Sequence, residues 1–136
     1  MSQIIFHKQF TAHTDQLKQV RNWTRESVQK AGLNKDRVEQ VILGVNEACM
    51  NIIEHAYKRN PGDILFEVSQ EPGQLVFQLT DFAPTVDCSC IKSRKLDDIR
   101  PGGLGVHFIH EAMDKVEYLP GKDGLGNIIR MVITTE

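Results

Sequence analysis

The sequence predicts an α+β fold, a two-layer α/β sandwich in which helices cover one face of a mostly antiparallel sheet. Segments that alternate apolar and polar residues, typical of half-buried strands, open the chain and recur in its second half. Between them, long segments carry apolar residues at helical spacing. Pairs of predicted strands are joined by short turns that contain glycine, which favours antiparallel hairpins. The predicted order is β-α-α-β-β-loop-α-β-β.

Local signals define the first strand and the first helix. Residues 3–10 alternate in polarity and are predicted as a strand. The helix after this strand should be capped by Thr11 or Thr14 and run to about Ala31, where Gly32 ends it.

The second helix is the longest predicted element. Asn34 should cap its start, and the helix should end near Tyr57, before Asn60-Pro61-Gly62. Gly44 and Ala48 lie on one flank, and a mid-helix glycine costs about 1 kcal/mol relative to alanine. Gly44 therefore indicates either that another element packs closely against this flank or that a ligand reaches it. The alternative is that the helix tolerates one glycine without a structural reason. The apolar stripe that should face the core consists of Val38, Val41, Ile42, Val45, Cys49, Ile52 and Ala56.

The second half of the chain predicts two hairpins. Residues 64–69 and 75–80 alternate in polarity around Glu71-Pro72-Gly73, which has the residue order of a type II turn. Val116–Leu119 and Ile128–Thr134 are predicted as the last hairpin.

A long loop separates these hairpins. The strand before the loop ends at Asp81, and regular spacing is absent from Phe82 to Gly103. Such a loop in a small domain is often a functional lid. Pro101–Val106 then forms a glycine-rich turn that opens a helix, where free N–H groups and the helix dipole suit a phosphate. The turn lacks the Lys-Ser/Thr ending of a P-loop, so a flexible loop remains the alternative.

Composition limits the function classes. With 136 residues, 40% hydrophobic and 25% charged, the chain is predicted to be one soluble globular domain over residues 1–136. A formal net charge of −2 does not favour a nucleic-acid partner. No apolar run reaches the roughly 18 residues of a membrane span, and no signal peptide is recognised. The three cysteines lack disulfide-framework spacing, which predicts a reducing cytoplasm, and Cys88-Ser89-Cys90 lacks a second ligand pair for zinc.

The most informative segment lies in the second helix. Glu47, Asn51 and His55 recur every four residues and should lie along one side of the helix. A carboxylate there can accept a proton, and an amide oxygen one turn away can bind Mg²⁺. Polar residues at this spacing also form ordinary solvated helix faces, so the pattern alone leaves both interpretations open.

Three segments, in this order, resemble one known family. They are Glu47-Ala48-Cys49-Met50-Asn51 with His55-Ala56-Tyr57, then Asp81-Phe82-Ala83-Pro84, then Pro101-Gly102-Gly103-Leu104-Gly105 with Met113-Asp114-Lys115-Val116-Glu117-Tyr118. The set is similar to the ATP-binding GHKL or Bergerat fold that gyrase, heat-shock chaperones, histidine kinases and mismatch-repair ATPases share. Within this fold, the chain most resembles the bacterial anti-sigma factor serine/threonine-protein kinases, over essentially its whole length.

The resemblance implies a role for each matching residue. Asn51 would coordinate Mg²⁺ at the ATP phosphates, and Glu47 would be the general base toward a serine or threonine hydroxyl. Asp81 would accept a hydrogen bond from the adenine amino group. Ala83 would contact the nucleotide at a position where the family usually has glycine, and its methyl group predicts weaker ATP binding or inefficient transfer.

The resemblance also implies that the glycine-rich turn contacts the phosphates, with the loop before it as an ATP lid. Arg100 would reach the terminal phosphate or a partner, or else is a solvated loop arginine. His55 would touch phosphate or support the start of another element. The implied turn residues are Gly102, Gly103, Leu104 and Gly105.

The implied function is an ATP- and Mg²⁺-dependent serine/threonine protein kinase that acts as an anti-sigma regulatory switch in the cytoplasm. It would phosphorylate a small single-domain anti-sigma factor antagonist and sequester a sigma factor. A homodimer is a further implied assembly, and no nucleic acid or membrane partner is expected. The alternative is a partner-sequestering module of the same fold, with weak or absent nucleotide binding and no transfer. A stand-alone ATPase is disfavoured because no second domain is predicted to use the hydrolysis.

Overall fold

The computed structural model describes residues 2–84, 109–121 and 125–135. The strands are β1 (Gln3–Thr11), β2 (Asp63–Glu71), β3 (Gln74–Pro84), β4 (Lys115–Pro120) and β5 (Leu125–Thr134). The helices are α1 (Leu17–Gln29) and α2 (Lys35–Asn51), with a 3₁₀ turn at Thr14–Gln16 and a π-helical turn at Ile52–Ala56. These strands form one sheet in the order β1-β2-β3-β5-β4, and each neighbouring pair is antiparallel. The predicted α+β fold is confirmed.

The hydrophobic core lies between the helices and one face of the sheet. Phe66 faces Leu79 across the β2–β3 ladder, Val68 faces Phe77, and all of these side chains are fully buried. The predicted stripe of α2 joins the same core through Val38, Val41, Ile42, Val45 and Cys49. Burial raises the pKa of the Cys49 thiol to about 12, so Cys49 acts as a packing residue.

The opposite face of the sheet carries polar and charged side chains. Arg130 of β5 forms ion pairs with Glu117 at 2.9 Å and with Glu71 at 3.4 Å. Glu117 lies directly across the β4–β5 ladder from Arg130, as expected for a favourable cross-strand pair. Among the described residues, the helices therefore pack on one face of the sheet, and the other face combines these ion pairs with the buried, paired Val76 and Val132.

The first helical segment begins differently from the prediction. Thr11 is the last residue of β1, and Thr14 is the first residue of the 3₁₀ turn that precedes α1. The cap is instead His13, whose Nδ1 accepts a hydrogen bond from the Asp15 N–H at 3.2 Å. The predicted caps Thr11 and Thr14 are wrong because the His13 imidazole accepts the hydrogen bond from the free Asp15 N–H. Gly32 has φ +77°, as predicted for a residue that ends a helix.

The second helix begins as predicted and ends in a wider turn. The Asn34 side chain caps α2 by accepting a hydrogen bond from the Arg37 N–H at 2.8 Å. After Asn51 the chain continues as the π-helical turn, which the Tyr57 N–H closes by donating to the Ile52 carbonyl at 3.0 Å. The predicted end near Tyr57 is confirmed, but the last turn is not α-helical.

Both predicted hairpins are confirmed. The β2–β3 turn contains Pro72 and Gly73, and the φ of +75° at Gly73 is that required at the third position of a type II turn. The chain is also helical at 109–112, with two residues between this segment and β4. Within the described ranges, no helix has the length and hydropathy needed to cross a bilayer.

The structure explains the mid-helix glycine. Gly44 is buried where α2 crosses the helical residues 109–112. A methyl group on Gly44 would lie 2.9 Å from the Ala112 Cβ and 3.1 Å from the Met113 Cε. Because both helices meet at small residues, Gly44 provides close packing between them.

We expect Gly44→Ala to destabilise the protein. Alanine should gain about 1 kcal/mol in helix propensity. Overlap with the rigid Ala112 Cβ should cost about 1–3 kcal/mol. The free energy of unfolding, measured by urea denaturation, should therefore fall by about 1 kcal/mol. The exposed Gln40→Ala change on the same helix is the control and should stay within about 0.5 kcal/mol of wild type. A more stable Gly44→Ala protein would contradict this account of the helix contact.

Candidate functional site

The end of α2 presents a carboxylate and an amide one helical turn apart. Glu47 and Asn51 both lie in α2 and are half-buried, as the sequence spacing predicts. Neither side chain has a hydrogen bond or ion pair with another side chain in the described ranges. The neighbouring Asn46 is engaged, since its Oδ1 accepts from Arg21 Nη1 of α1 at 3.1 Å. Glu47 and Asn51 are thus available for a ligand, whereas Asn46 connects the helices.

His55 is placed differently from Glu47 and Asn51. It lies in the π-helical turn and is exposed, so the α-helical period used to align it with Asn51 does not hold there. Its neighbour Glu54 forms an ion pair with Arg59 beyond the turn, and the Arg59 Nε donates to Glu54 at 3.0 Å.

A buried carboxylate marks the end of β3. Asp81 is only 3% exposed, and its Oδ1 accepts two hydrogen bonds of 3.0 Å, from the Ala83 N–H and from the Asn127 side-chain amide. Burial raises the pKa of the Asp81 carboxyl, and the hydrogen bonds from Asn127 and Ala83 partly oppose that rise. An acidic side chain in this setting is costly to bury, which is typical of functional positions.

The backbone around Asp81 departs from the regular ladder. The pairing of β3 with β5 shifts register between Asp81 and Pro84, as at a β-bulge. Opposite this bulge, Gly126 has φ +79°, and a methyl group there would lie 2.1 Å from the Asp81 carbonyl oxygen. Only glycine fits this approach.

Sequence reasoning did not identify Gly126 or Asn127 as site residues. They follow the predicted final turn at residues 121–124, where a second glycine and an asparagine resemble ordinary turn residues. A glycine two residues before the predicted strand Ile128–Thr134 was the available signal, since a glycine that joins a strand indicates a bulge or a close backbone approach.

The segment that follows α2 reaches the end of β3, where the Tyr57 hydroxyl accepts a hydrogen bond from the Phe82 N–H next to Asp81. Both α2 and the π-helical turn contact β3. Ala83 is 4% exposed, so its methyl group occupies a packed position next to Asp81. The remaining predicted site residues lie outside the described ranges: Arg100, Gly102, Gly103, Leu104 and Gly105, together with Cys88 and Cys90.

A sequence profile of the histidine kinase-like ATPase domain matches residues 10–133. The match includes the α2 end, the β3 end and the final hairpin.

Curated relatives share part of their length with the chain. Serine-protein kinase RsbW of Bacillus cereus strain G9842 is 26% identical over 98 residues, covering 66% of this chain and 61% of the relative. Serine-protein kinase RsbW of Staphylococcus aureus strain JH9 is 31% identical over 99 residues, covering 64% of this chain and 61% of the relative. The chain therefore spans less than two thirds of the length of these relatives.

Solved structures share the fold. The SiaB–SiaC complex from Pseudomonas aeruginosa matches with a TM-score of 0.64 and 13% identity, covering 96% of this chain and 89% of that chain. The histidine kinase domain of the blue-light activated histidine kinase from Erythrobacter litoralis EL346 matches with a TM-score of 0.58 and 16% identity, covering 89% and 60%. At such identities these matches show the fold alone.

The Asp81 environment predicts a specific pH dependence of stability. Because burial raises the Asp81 pKa above its ordinary value of 3.8, the folded state favours the protonated acid. The resulting stabilisation is complete below about 3.8 and is lost as the pH rises through the raised folded pKa. Asp81→Asn does not titrate and keeps a side-chain oxygen that can accept from Ala83 and Asn127.

The unfolding free energy of wild type minus that of Asp81→Asn should therefore increase as the pH falls from 7 toward 4. Urea denaturation across this range measures the difference. The exposed Asp63→Asn change is the control for losing one negative charge. A difference that stays flat or decreases on acidification would be inconsistent with a raised Asp81 pKa.

Proposed function

The chain belongs to the histidine kinase-like ATPase domain family, and on that premise we propose that residues 1–136 form an ATP-binding domain that phosphorylates a serine or threonine of a partner protein. The observation that carries the proposal is the buried Asp81 carboxylate at the end of β3, a strand that contacts the helix bearing Glu47 and Asn51. This arrangement offers one group for each requirement of phosphoryl transfer: base recognition, metal binding and proton removal.

The Asp81 carboxylate fits an adenine amino group. An ionised carboxylate only accepts hydrogen bonds, and the adenine amino group only donates them in this contact. Ala83 and Asn127 orient the carboxylate before any ligand binds, because both donate to the same Oδ1. A nucleobase would thus meet an acceptor of fixed direction, which favours selective recognition.

Asn51 fits a metal ion that is held mainly by phosphate. Mg²⁺ in nucleotide sites commonly takes one or two protein oxygen ligands, with phosphate oxygens and water supplying the rest. Within the described ranges, no group of three or more His, Cys, Asp or Glu side chains could hold a metal without such help. Asn51 would therefore bind Mg²⁺ together with ATP rather than before it.

Glu47 is proposed as the general base. It would take the proton of the acceptor hydroxyl while the hydroxyl oxygen forms a bond to the γ-phosphorus and ADP leaves with the electron pair of the broken P–O bond. ATP with Mg²⁺ supplies the phosphoryl group. The half-buried position of Glu47, with no described ion-pair partner, leaves its carboxylate available for this proton.

The proposed partners are a small anti-sigma factor antagonist as substrate and a sigma factor as the sequestered protein, with a homodimer as a further assembly. The name serine-protein kinase of the Bacillus and Staphylococcus relatives supports a protein substrate. The Pseudomonas neighbour, a complex of two named proteins, supports a protein partner for this fold. Action in the cytoplasm is part of the same proposal.

A non-catalytic module that sequesters a partner is the second candidate function. Ala83 favours it, because a buried methyl group replaces the glycine that the family usually has beside the adenine-binding aspartate. Nucleotide binding and labelling of a partner separate the two candidates.

We expect the protein to bind ATP with Mg²⁺ in calorimetry, and Asp81→Asn to bind it at least tenfold more weakly. The amide keeps the oxygen that Ala83 and Asn127 hold but replaces the other acceptor with an NH₂ group, which opposes a donor such as the adenine amine. Asp63→Asn is the matched charge control and should bind ATP like wild type. Absence of ATP binding by wild type would leave only the sequestering module.

Glu47→Gln should abolish most transfer while preserving ATP binding. Glutamine keeps the size and helix propensity of glutamate but loses its basicity. Transfer of label from ATP to the cognate antagonist should fall by about 10²–10⁴-fold, the usual contribution of a positioned general base. Glu39→Gln, an exposed change on the same helix, should label the antagonist at the wild-type rate. Equal rates for Glu47→Gln and wild type would remove Glu47 from the mechanism.

A further inference from the structure

Tyr57 makes two hydrogen bonds at the base of the site that the proposed function does not use. Its hydroxyl donates to the Asp63 carbonyl at 2.6 Å and accepts from the Phe82 N–H at 2.7 Å. Asp63 begins β2, and Phe82 follows Asp81 in β3. The Tyr57 hydroxyl therefore connects the end of the helical segment to both strands of the β2–β3 hairpin.

The position of this hydroxyl is built into the fold. Tyr57 follows the π-helical turn, whose extra residue shifts the direction of the side chains after it. The ring then packs on Gly62, where a methyl group would lie 2.2–2.6 Å from three ring carbons. The Gly62 carbonyl is itself engaged by the Ala12 N–H at 2.7 Å. Gly62 therefore lets the half-buried ring lie against the backbone on that side.

Tyr57 and Gly126 constrain the same peptide group from opposite ends. The N–H of Phe82 and the carbonyl of Asp81 belong to one peptide plane. Tyr57 accepts from the N–H, and Gly126 lies against the carbonyl oxygen so closely that a methyl group would come within 2.1 Å of it. The orientation of this peptide sets ψ of Asp81 and φ of Phe82, and so determines where the Ala83 N–H lies relative to the Asp81 carboxylate.

The Asp81 side chain needs that orientation. Its Oδ1 accepts from the N–H of Ala83, two residues ahead, as in an Asx turn, so a rotated peptide would separate the pair. Asp81 lies close enough to Tyr57 for its charge to contribute to the raised pKa of the Tyr57 hydroxyl, although burial is the larger cause. Phe82 is 54% exposed, so packing of its own side chain does little to fix the segment.

We propose that Tyr57 is a positioning residue for base recognition: its hydroxyl holds the Asp81–Phe82 peptide so that the Asp81 carboxylate selects a nucleobase with an amino group. The proposal rests on the proposed function, because it takes Asp81 as the adenine acceptor. Phenylalanine cannot replace this tyrosine, since it offers neither the donor nor the acceptor.

The test compares ATP with inosine triphosphate, which carries a carbonyl where adenine carries its amino group. Wild type should prefer ATP, because a carboxylate cannot accept a hydrogen bond from a carbonyl. In Tyr57→Phe the preference, measured by calorimetry with Mg²⁺, should fall about five- to tenfold, the usual worth of one hydrogen bond. Binding of inosine triphosphate should change little. A purely structural defect would weaken both nucleotides equally.

Tyr118→Phe is the matched control, because Tyr118 of β4 is the chain's other tyrosine and should keep the wild-type preference. Amide exchange of Phe82 in the nucleotide-free protein, followed by NMR, should be faster in Tyr57→Phe than in wild type. Gly62→Ala provides a second variant, since it moves the Tyr57 ring without removing its hydroxyl, and it should lower the ATP preference in the same way.

The outcomes are distinguishable. Absence of ATP binding by wild type would overturn the proposed function and this inference with it. Normal ATP binding by wild type, with an unchanged preference for ATP in Tyr57→Phe, would overturn this inference alone.

Discussion

The buried carboxylate of Asp81 is the constraint on which the site depends. Removing an ionisable group from water costs several kcal/mol unless hydrogen bonds replace the lost solvation. The chain supplies these bonds from Ala83 in the same strand and from Asn127 in β5. Because Asn127 lies opposite Asp81 in the β3–β5 ladder, the carboxylate is satisfied only when that register has formed. The site is therefore a consequence of sheet assembly.

Helix α2 belongs to the hydrophobic core on one side and carries the candidate site residues Glu47 and Asn51 on its flank. Its apolar stripe is buried against the sheet, while Glu47 and Asn51 lie on a flank where both are half-buried. Gly44 allows close contact with the helical residues 109–112, which fixes the helix from a second side. A side chain on an element packed in this way is positioned more exactly than one on a loop. The same packing that stabilises the fold thus determines where the carboxylate and the amide can act.

Local signals were sufficient where one short segment carries the whole interaction. The Asn34 cap is one such case, because the residue and the N–H that it binds are three positions apart. Gly73 is another, because a type II turn needs positive φ at that position whatever surrounds it. The prediction of the cap of the first helical segment was wrong because local signals compete there. Thr11, His13 and Thr14 all offer acceptors within a few residues, and the local sequence does not rank them.

The candidate site was predicted in part. The sequence predicted the spacing of Glu47 and Asn51 and the position of Asp81 at a strand end. Each depends only on the residue periodicity of its own helix or strand. Gly126 and Asn127 were not, because their importance comes from pairing with Asp81 more than forty positions earlier, at the register of the β3–β5 ladder. A residue's partner across a sheet depends on register, which the sequence of one strand does not specify.

The sequence by itself determined the order of strands and helices, the buried stripe of α2 and the residue types available for nucleotide chemistry, because periodicity and turn residues act locally. Only the tertiary structure decided the π-helical turn after Asn51, the contact of Tyr57 with Asp63 and Phe82, and the close approach of Gly126 to Asp81. The physical reason is shared by all of these features. Each is a hydrogen bond or steric contact that becomes favourable only after distant segments have packed together and water has left the space between them.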